Sequence, residues 1–176
     1  EEHPLRQGAV VHTDSEGFVL IPQQGDQRFE GLADPRTNGR YSGELLGMNP
    51  VVAMARAHTA MEYVGLGELR YRPISSFSTG MRQATKLACA IIHDPQLIIA
   101  DEPSNGLDAT ARDSMLTTLY NMVHSGGRSV LMSSHLMEDV ERVCESMVLL
   151  HKGKLAAQGR IEDLKALDRE IEIHVW

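Results

Sequence analysis

The sequence predicts an α/β fold built on a mainly parallel sheet flanked by helices, and three observations carry that prediction. From Asn49 onward short apolar runs alternate with stretches of helical periodicity. The run Leu97-Ile-Ile-Ala100 lies between Pro95 and Pro103 and is apolar at every position, as a strand buried on both faces of a parallel sheet would be. The connections are short, which suits repeated βα units. A Lys152-Gly153 turn between two further runs adds an antiparallel hairpin, expected at the sheet edge.

Taken in order, Gly17 to Ile21 reads as a short strand, residues 22–26 as a loop, and Leu32 to Gly43 as a segment rich in glycine, proline and polar residues. Asn49 can cap a helix over Pro50 to Val64, with proline at its first position and Gly65 at its end. Ser78 is the natural N-cap of a helix over Thr79 to Ile92, in which Met81, Ala84, Leu87, Ala88, Ile91 and Ile92 recur at helical spacing. The Leu97 to Ala100 strand follows, then a helix over Ala109 to His124 closed by Gly126-Gly127, and a strand over Ser129 to Met132. A short helix over Met137 to Val143 and strands at Met147 to Leu150 and Lys154 to Ala157 complete the pattern. Glu170 to Val175 alternates polar residues with Ile171, Ile173 and Val175, as a half-buried strand would.

Bulk properties narrow the function. The chain has 176 residues, 42% hydrophobic and 23% charged, which suits one soluble globular core. Its formal net charge of −7, without a basic tract, disfavours a nucleic-acid partner. No apolar stretch approaches the roughly 20 residues that cross a bilayer, so a membrane role would come through a partner. Cys89 and Cys144 are far apart and belong to no Cys-x-x-Cys pair, which predicts reduced structural thiols in a cytosolic protein.

The candidate chemistry sits where Leu97 to Ala100 delivers Asp101 and Glu102 to a turn. Ligands of open α/β sheets bind beyond the carboxyl ends of the strands. One carboxylate there can hold Mg²⁺ while the other polarises an attacking water. By itself, Asp-Glu-Pro is read equally well as the opening of a solvated turn. Ser78, Thr79 and Gly80 likewise open a helix whose free N–H groups and dipole suit an anion, or they serve only as a cap.

In order and spacing, Phe77-Ser78-Thr79-Gly80-Met81-Arg82-Gln83, Asp101-Glu102-Pro103, Ser104-Asn105-Gly106-Leu107-Asp108 and Ser133-Ser134-His135 closely resemble the nucleotide-binding domain of ABC transporters. The form Phe-Ser-Thr-Gly-Met is similar to the signature motif of ATPases serving drug and other ABC-2 type exporters. The resemblance implies a P-loop NTPase-like fold with a helical subdomain, and ATP and Mg²⁺ as cofactors. Asp101 would hold Mg²⁺, directly or through water, and Glu102 and His135 would be catalytic, orienting water and contacting the γ-phosphate. Ser78, Thr79, Gly80 and Met81 would bind the nucleotide of a second subunit, and Asp108 would reach across to that subunit. In the loop after Phe18 to Ile21, Gln23 is the better match to a glutamine that contacts Mg²⁺, with Gln24 and a plain polar turn as alternatives. The implied partners are a second ABC ATPase subunit, arranged head to tail, and a transmembrane permease that would hold the chain at the cytoplasmic face of the membrane.

The resemblance is strong from about Tyr41 to Gly159. It implies a partial ABC ATPase domain over residues 1–167, with the helical subdomain at about 32–64 and the signature, Walker B, D-loop and H-loop region at 65–167. Residues 168–176 would begin a C-terminal extension. The motif G-x-x-x-x-G-K-[ST], which cradles phosphates, occurs nowhere in the sequence. In the family it precedes the Q-loop, the loop that Gln23 matches here, so the N-terminal part of the domain is expected to lie upstream of Glu1, and residues 1–176 alone are expected to be inactive. Two other classes share some of these features: a soluble ABC-type ATPase of DNA repair or translation, and a non-catalytic ABC-like interaction module.

Overall fold

In the computed structural model, the backbone is described for Phe18–Ile21 and residues 34–172, and side chains for residues 34–166. Gln23 and Gln24 lie outside the described residues, as do residues 173–176. Strands β1 (Phe18–Ile21), β2 (Leu97–Asp101) and β3 (Ser129–Ser133) form a parallel sheet in the order β1-β2-β3. Helices α1 (Pro35–Leu45), α2 (Pro50–Tyr63), α3 (Thr79–Ile91) and α4 (Ala109–His124) occur in the order expected of βα alternation, followed by α5 (Met137–Val143). Strands β4 (Ser146–His151) and β5 (Lys154–Arg160) make the antiparallel hairpin, and α6 (Ile161–Glu172) follows.

Two short helices pack tightly because α1 has no side chain where it meets α2. A Cβ on Gly39 would fall 2.8 Å from the Ala57 Cβ, and one on Gly43 would fall 2.8 Å from the Ala53 Cβ. Asp34 caps α1 by accepting from the Thr37 N–H at 3.0 Å, and Pro35 takes the first helical position. The glycines that read as a weakly bounded segment in the sequence are therefore a packing surface. Each costs about 0.5–1 kcal/mol of helix propensity relative to alanine, offset by the close approach it permits.

The core lies between α2, α3, α4 and one face of the sheet. Leu87, Ile98, Leu119 and Met122 are fully buried there, with Phe77, Leu116 and Val143 nearly so. Ile98 and Ala100 are buried while Leu97, Ile99 and Asp101 are partly exposed. Among the described residues, β2 is thus covered fully on one face only, a departure from the expectation of burial on both. Cys89 is buried in this core and free, and burial pushes its thiol up to about 12. It is an inert structural thiol, and Cys144, also free, is raised by burial in the same direction.

The hairpin turns at Lys152 and Gly153, with φ of 50° and 72°, the positive pair that a two-residue type I′ connection requires. It was expected at the edge of the parallel sheet; among the described residues its strands form a separate two-stranded sheet. The C-terminal alternation is also corrected: Glu170, Ile171 and Glu172 are helical, within α6. Ile161, Leu164 and Leu167 recur every three residues, and Glu162 and Asp163 sit in the first turn, so helical periodicity established upstream overrides the local alternation. This helix runs across the expected boundary at residues 167 and 168.

Candidate active site at the carboxyl end of the parallel sheet

Parallel pairing places Asp101 opposite Ser133, so the ends of β2 and β3 emerge side by side. Asp101 is the last residue of β2 and Glu102 the first beyond it. The Ser133 hydroxyl donates to Asp101 Oδ1 at 2.7 Å and accepts from the Glu102 N–H at 2.9 Å. The same N–H also approaches the Ser133 carbonyl at 3.2 Å. One serine hydroxyl therefore orients one carboxylate directly and the other through its backbone. Ser133 was passed over in the sequence, where only the histidine of Ser133-Ser134-His135 stood out; its role depends on a strand register that spacing along the chain does not display.

Glu102, like Asp94, combines a left-handed backbone with a following proline. Its φ is +47°, a region that side-chain-bearing residues rarely adopt, and it precedes Pro103, a position that favours extended backbone. Such a conformation costs on the order of 1–3 kcal/mol and persists where its surroundings over-determine it. Glu102 is only 8% exposed, and His135 Nδ1 lies 2.8 Å from its Oε2. The solvated-turn reading of Asp-Glu-Pro does not survive this burial. A carboxylate accepts, so Nδ1 carries the hydrogen in this contact, and Nε2 has no hydrogen-bond partner among the described residues. The His135 side chain is 54% exposed, which leaves that part of the ring open to a ligand.

The signature residues form a second group. Ser78 Oγ accepts from the Met81 N–H at 3.2 Å and so caps α3. Asp108 Oδ1 accepts from the Ala111 N–H at 2.9 Å and caps α4. The two capped termini touch: a Cβ on Gly80 would lie 2.5 Å from the Ala111 Cβ. Hydrogen bonds thus bring Asp101, Glu102 and His135 together, while packing puts Gly80, within Ser78–Met81, beside the helix that Asp108 caps. Gly80→Ala would gain helix propensity of about 0.5–1 kcal/mol but meet an overlap that overpacking data put at about 1–3 kcal/mol. A net loss of about 1 kcal/mol is expected in urea unfolding, restored by combining it with Ala111→Gly.

No group of three or more His, Cys, Asp or Glu residues is placed to hold a metal among the described residues. The adjacent carboxylates of Asp101 and Glu102 suit Mg²⁺, which is commonly held by one or two carboxylates together with waters and substrate phosphates. Asp101, fixed by Ser133 at the strand end, is suited to be such a ligand.

Two carboxylates at the end of a parallel strand, one of them bonded to a histidine just beyond the neighbouring strand, occupy the place where open α/β sheets bind their ligands. The ABC transporter family model matches residues 2–105, and the chain belongs to that family. It is similar to the ABC transporter ATP-binding protein NatA of Bacillus subtilis (strain 168), 33% identical over 94% of this chain and 71% of NatA. It is also similar to the bacitracin transport ATP-binding protein BcrA of Enterococcus faecalis, 32% identical over 68% of this chain and 39% of BcrA. A third relative, the Nod factor export ATP-binding protein I of Rhizobium etli, is 35% identical over 84% of this chain and 46% of its own length. Among solved structures, a metal-chelate type ABC transporter in an inward-facing conformation superposes with a TM-score of 0.70 at 25% identity, covering 87% of this chain and 63% of that one. The chain thus matches part of the ATP-binding proteins of such transporters, spanning less than half the length of two of these relatives. Among the described residues no helix is long and apolar enough to cross a membrane.

Proposed function

We propose that the whole protein is a Mg²⁺-dependent ATPase that powers a transmembrane permease, in the export direction. The observation that carries the reading is the hydrogen-bonded set Asp101, Ser133, Glu102 and His135 at the carboxyl end of β2 and β3. The direction is supported by a relative named for Nod factor export and by the Phe77-Ser78-Thr79-Gly80-Met81 form of the signature.

Phosphoryl transfer relies on positioning and charge neutralisation more than on covalent chemistry. Asp101 would hold the metal, whose charge offsets that developing on the phosphoryl oxygens. Glu102 accepts the proton of the attacking water, a form of help worth roughly 10²–10⁴ in rate. His135 fixes Oε2 of Glu102 through Nδ1, which leaves Oε1 for the water and Nε2 for the γ-phosphate.

Ser78, Thr79, Gly80 and Met81 would close the ATP site of a second subunit arranged head to tail, and Asp108 at the start of α4 would lie along that contact. The expected phosphate loop is absent from these 176 residues, so we assign turnover to the whole protein and none to residues 1–176 alone. Residues 32–64 would be the helical subdomain that docks on the permease, and residues 168–176 the start of an extension. Capture of the whole protein from detergent-solubilised membranes should bring down a polytopic membrane protein in stoichiometric amount and hold the chain at the cytoplasmic face. Recovery of ribosomes or nucleic acid in its place would point instead to a soluble ATPase of translation or repair.

A further inference from the structure

We propose that Asp139 is a positioning residue of the hydrolysis site, acting through Ser104 to hold the loop that follows Glu102. This inference rests on the ATPase reading of that site.

Asp139 is a carboxylate only 1% exposed, on the short helix α5 that begins two residues after His135. Its Oδ2 accepts from the hydroxyl of Ser104, itself 4% exposed and two residues beyond Glu102. Its Oδ1 accepts from Arg112 Nε at 2.8 Å and pairs with Arg112 Nη2 at 2.6 Å. Arg112 stands on the first turn of α4, just past the Asp108 cap. One buried carboxylate thus ties together the loop leaving Glu102, the helix begun by Asp108 and the helix following His135.

The arrangement is more than a local turn. Residues 104 and 139 are 35 apart in sequence, and the loop between Glu102 and Asp108 has backbone turns of its own, Asn105 N–H to the Glu102 carbonyl at 3.1 Å and Leu107 N–H to the Ser104 carbonyl at 3.3 Å. Those turns shape the loop without setting where it lies relative to His135. Setting a buried carboxylate against a partly exposed guanidinium seldom adds stability over an apolar contact of the same volume. Here the pair fixes a geometry: Glu102 holds a φ of +47° that its own chemistry disfavours, and Ser104 is the nearest point beyond it anchored to another element by its side chain.

Ser104→Ala tests this without exposing an unpaired charge, because Arg112 still neutralises Asp139. In the whole protein it should lower kcat about tenfold, the loss expected for one charge-assisted hydrogen bond that matters in the transition state. The KM for ATP should stay within about twofold, and Ser104→Thr, which keeps the hydroxyl, should restore kcat. Asp139→Asn should lower kcat similarly, and the double variant should lose little more, because the two residues share one interaction. Wild-type kcat in Ser104→Ala, a fall no greater than the fraction of unfolded protein, or simple multiplication of the two losses would overturn the proposal. Glu102→Gln serves as the reference: if it retains wild-type turnover, the ATPase reading of this site fails; if it is inactive while Ser104→Ala is normal, only the role of Asp139 fails.

Discussion

Glu102→Gln in the whole protein should abolish steady-state ATP turnover, by roughly 10²–10⁴-fold, while leaving an ATP-bound dimer that accumulates. The substitution changes little else. Glutamine has the same volume, its amide oxygen can still accept from His135 Nδ1, and the backbone contacts of residue 102 to Ser133 do not depend on the side chain. What is lost is the basicity that removes a proton from water. If ATP binding closes two subunits and hydrolysis opens them, removing only the chemical step should trap the closed form. Size-exclusion chromatography in Mg-ATP should show that species, and wild type should show it only transiently.

Asp101→Asn should differ in kind. Asparagine can still accept the Ser133 hydroxyl, so the strand end keeps its arrangement, but the negative charge available to Mg²⁺ is gone. Metal assistance at a transferring phosphoryl group is worth several kcal/mol, and each 1.36 kcal/mol is tenfold in rate. Turnover should fall by about 10²-fold or more, and the Mg²⁺ concentration for half-maximal rate should rise at least about tenfold. Glu102→Gln should leave the Mg²⁺ dependence of nucleotide binding where it is in wild type. A shared Mg²⁺ dependence in the two variants would show that the two carboxylates do not divide the labour as assigned.

Much of this site was legible along the chain because its parts are local. Leu97 to Ala100 followed by Asp101 and Glu102 is a strand and its end, and helices α4 and α5 span the residues expected of them. The Ser78 cap is equally local, bonding a residue three positions on; Asp108 caps α4 in the same way, a role its sequence reading did not include. What escaped detection is held by pairs distant in sequence. Ser133 meets Asp101 across 32 residues and Asp139 meets Ser104 across 35, and neither pairing exists until the strands are in register and α5 has packed on α4. The left-handed backbone of Glu102 is invisible for the same reason, since the residue type argues against it.

Helix α1 failed on different grounds. Its glycines weaken the helical pattern, and only the alanines of α2, 2.8 Å from where their side chains would be, explain why they are there. Packing overrode propensity in α1, and in α6 helical periodicity begun at Ile161 overrode a local alternation. Gly80 carries both kinds of lesson: it belongs to a motif readable in sequence, yet the structure gives it a close contact with Ala111 that the motif does not announce.

The decisive measurement is a single-turnover comparison of wild type and Glu102→Gln, with enzyme in excess over Mg-ATP, so that binding and product release do not mask the chemical step. Bound ATP should be cleaved within one catalytic cycle by wild type and should persist about 10²–10⁴ times longer in Glu102→Gln at equal occupancy. Cleavage at the same rate in both would contradict the assignment of Glu102 as the base, and with it the reading of this strand end as the hydrolysis site.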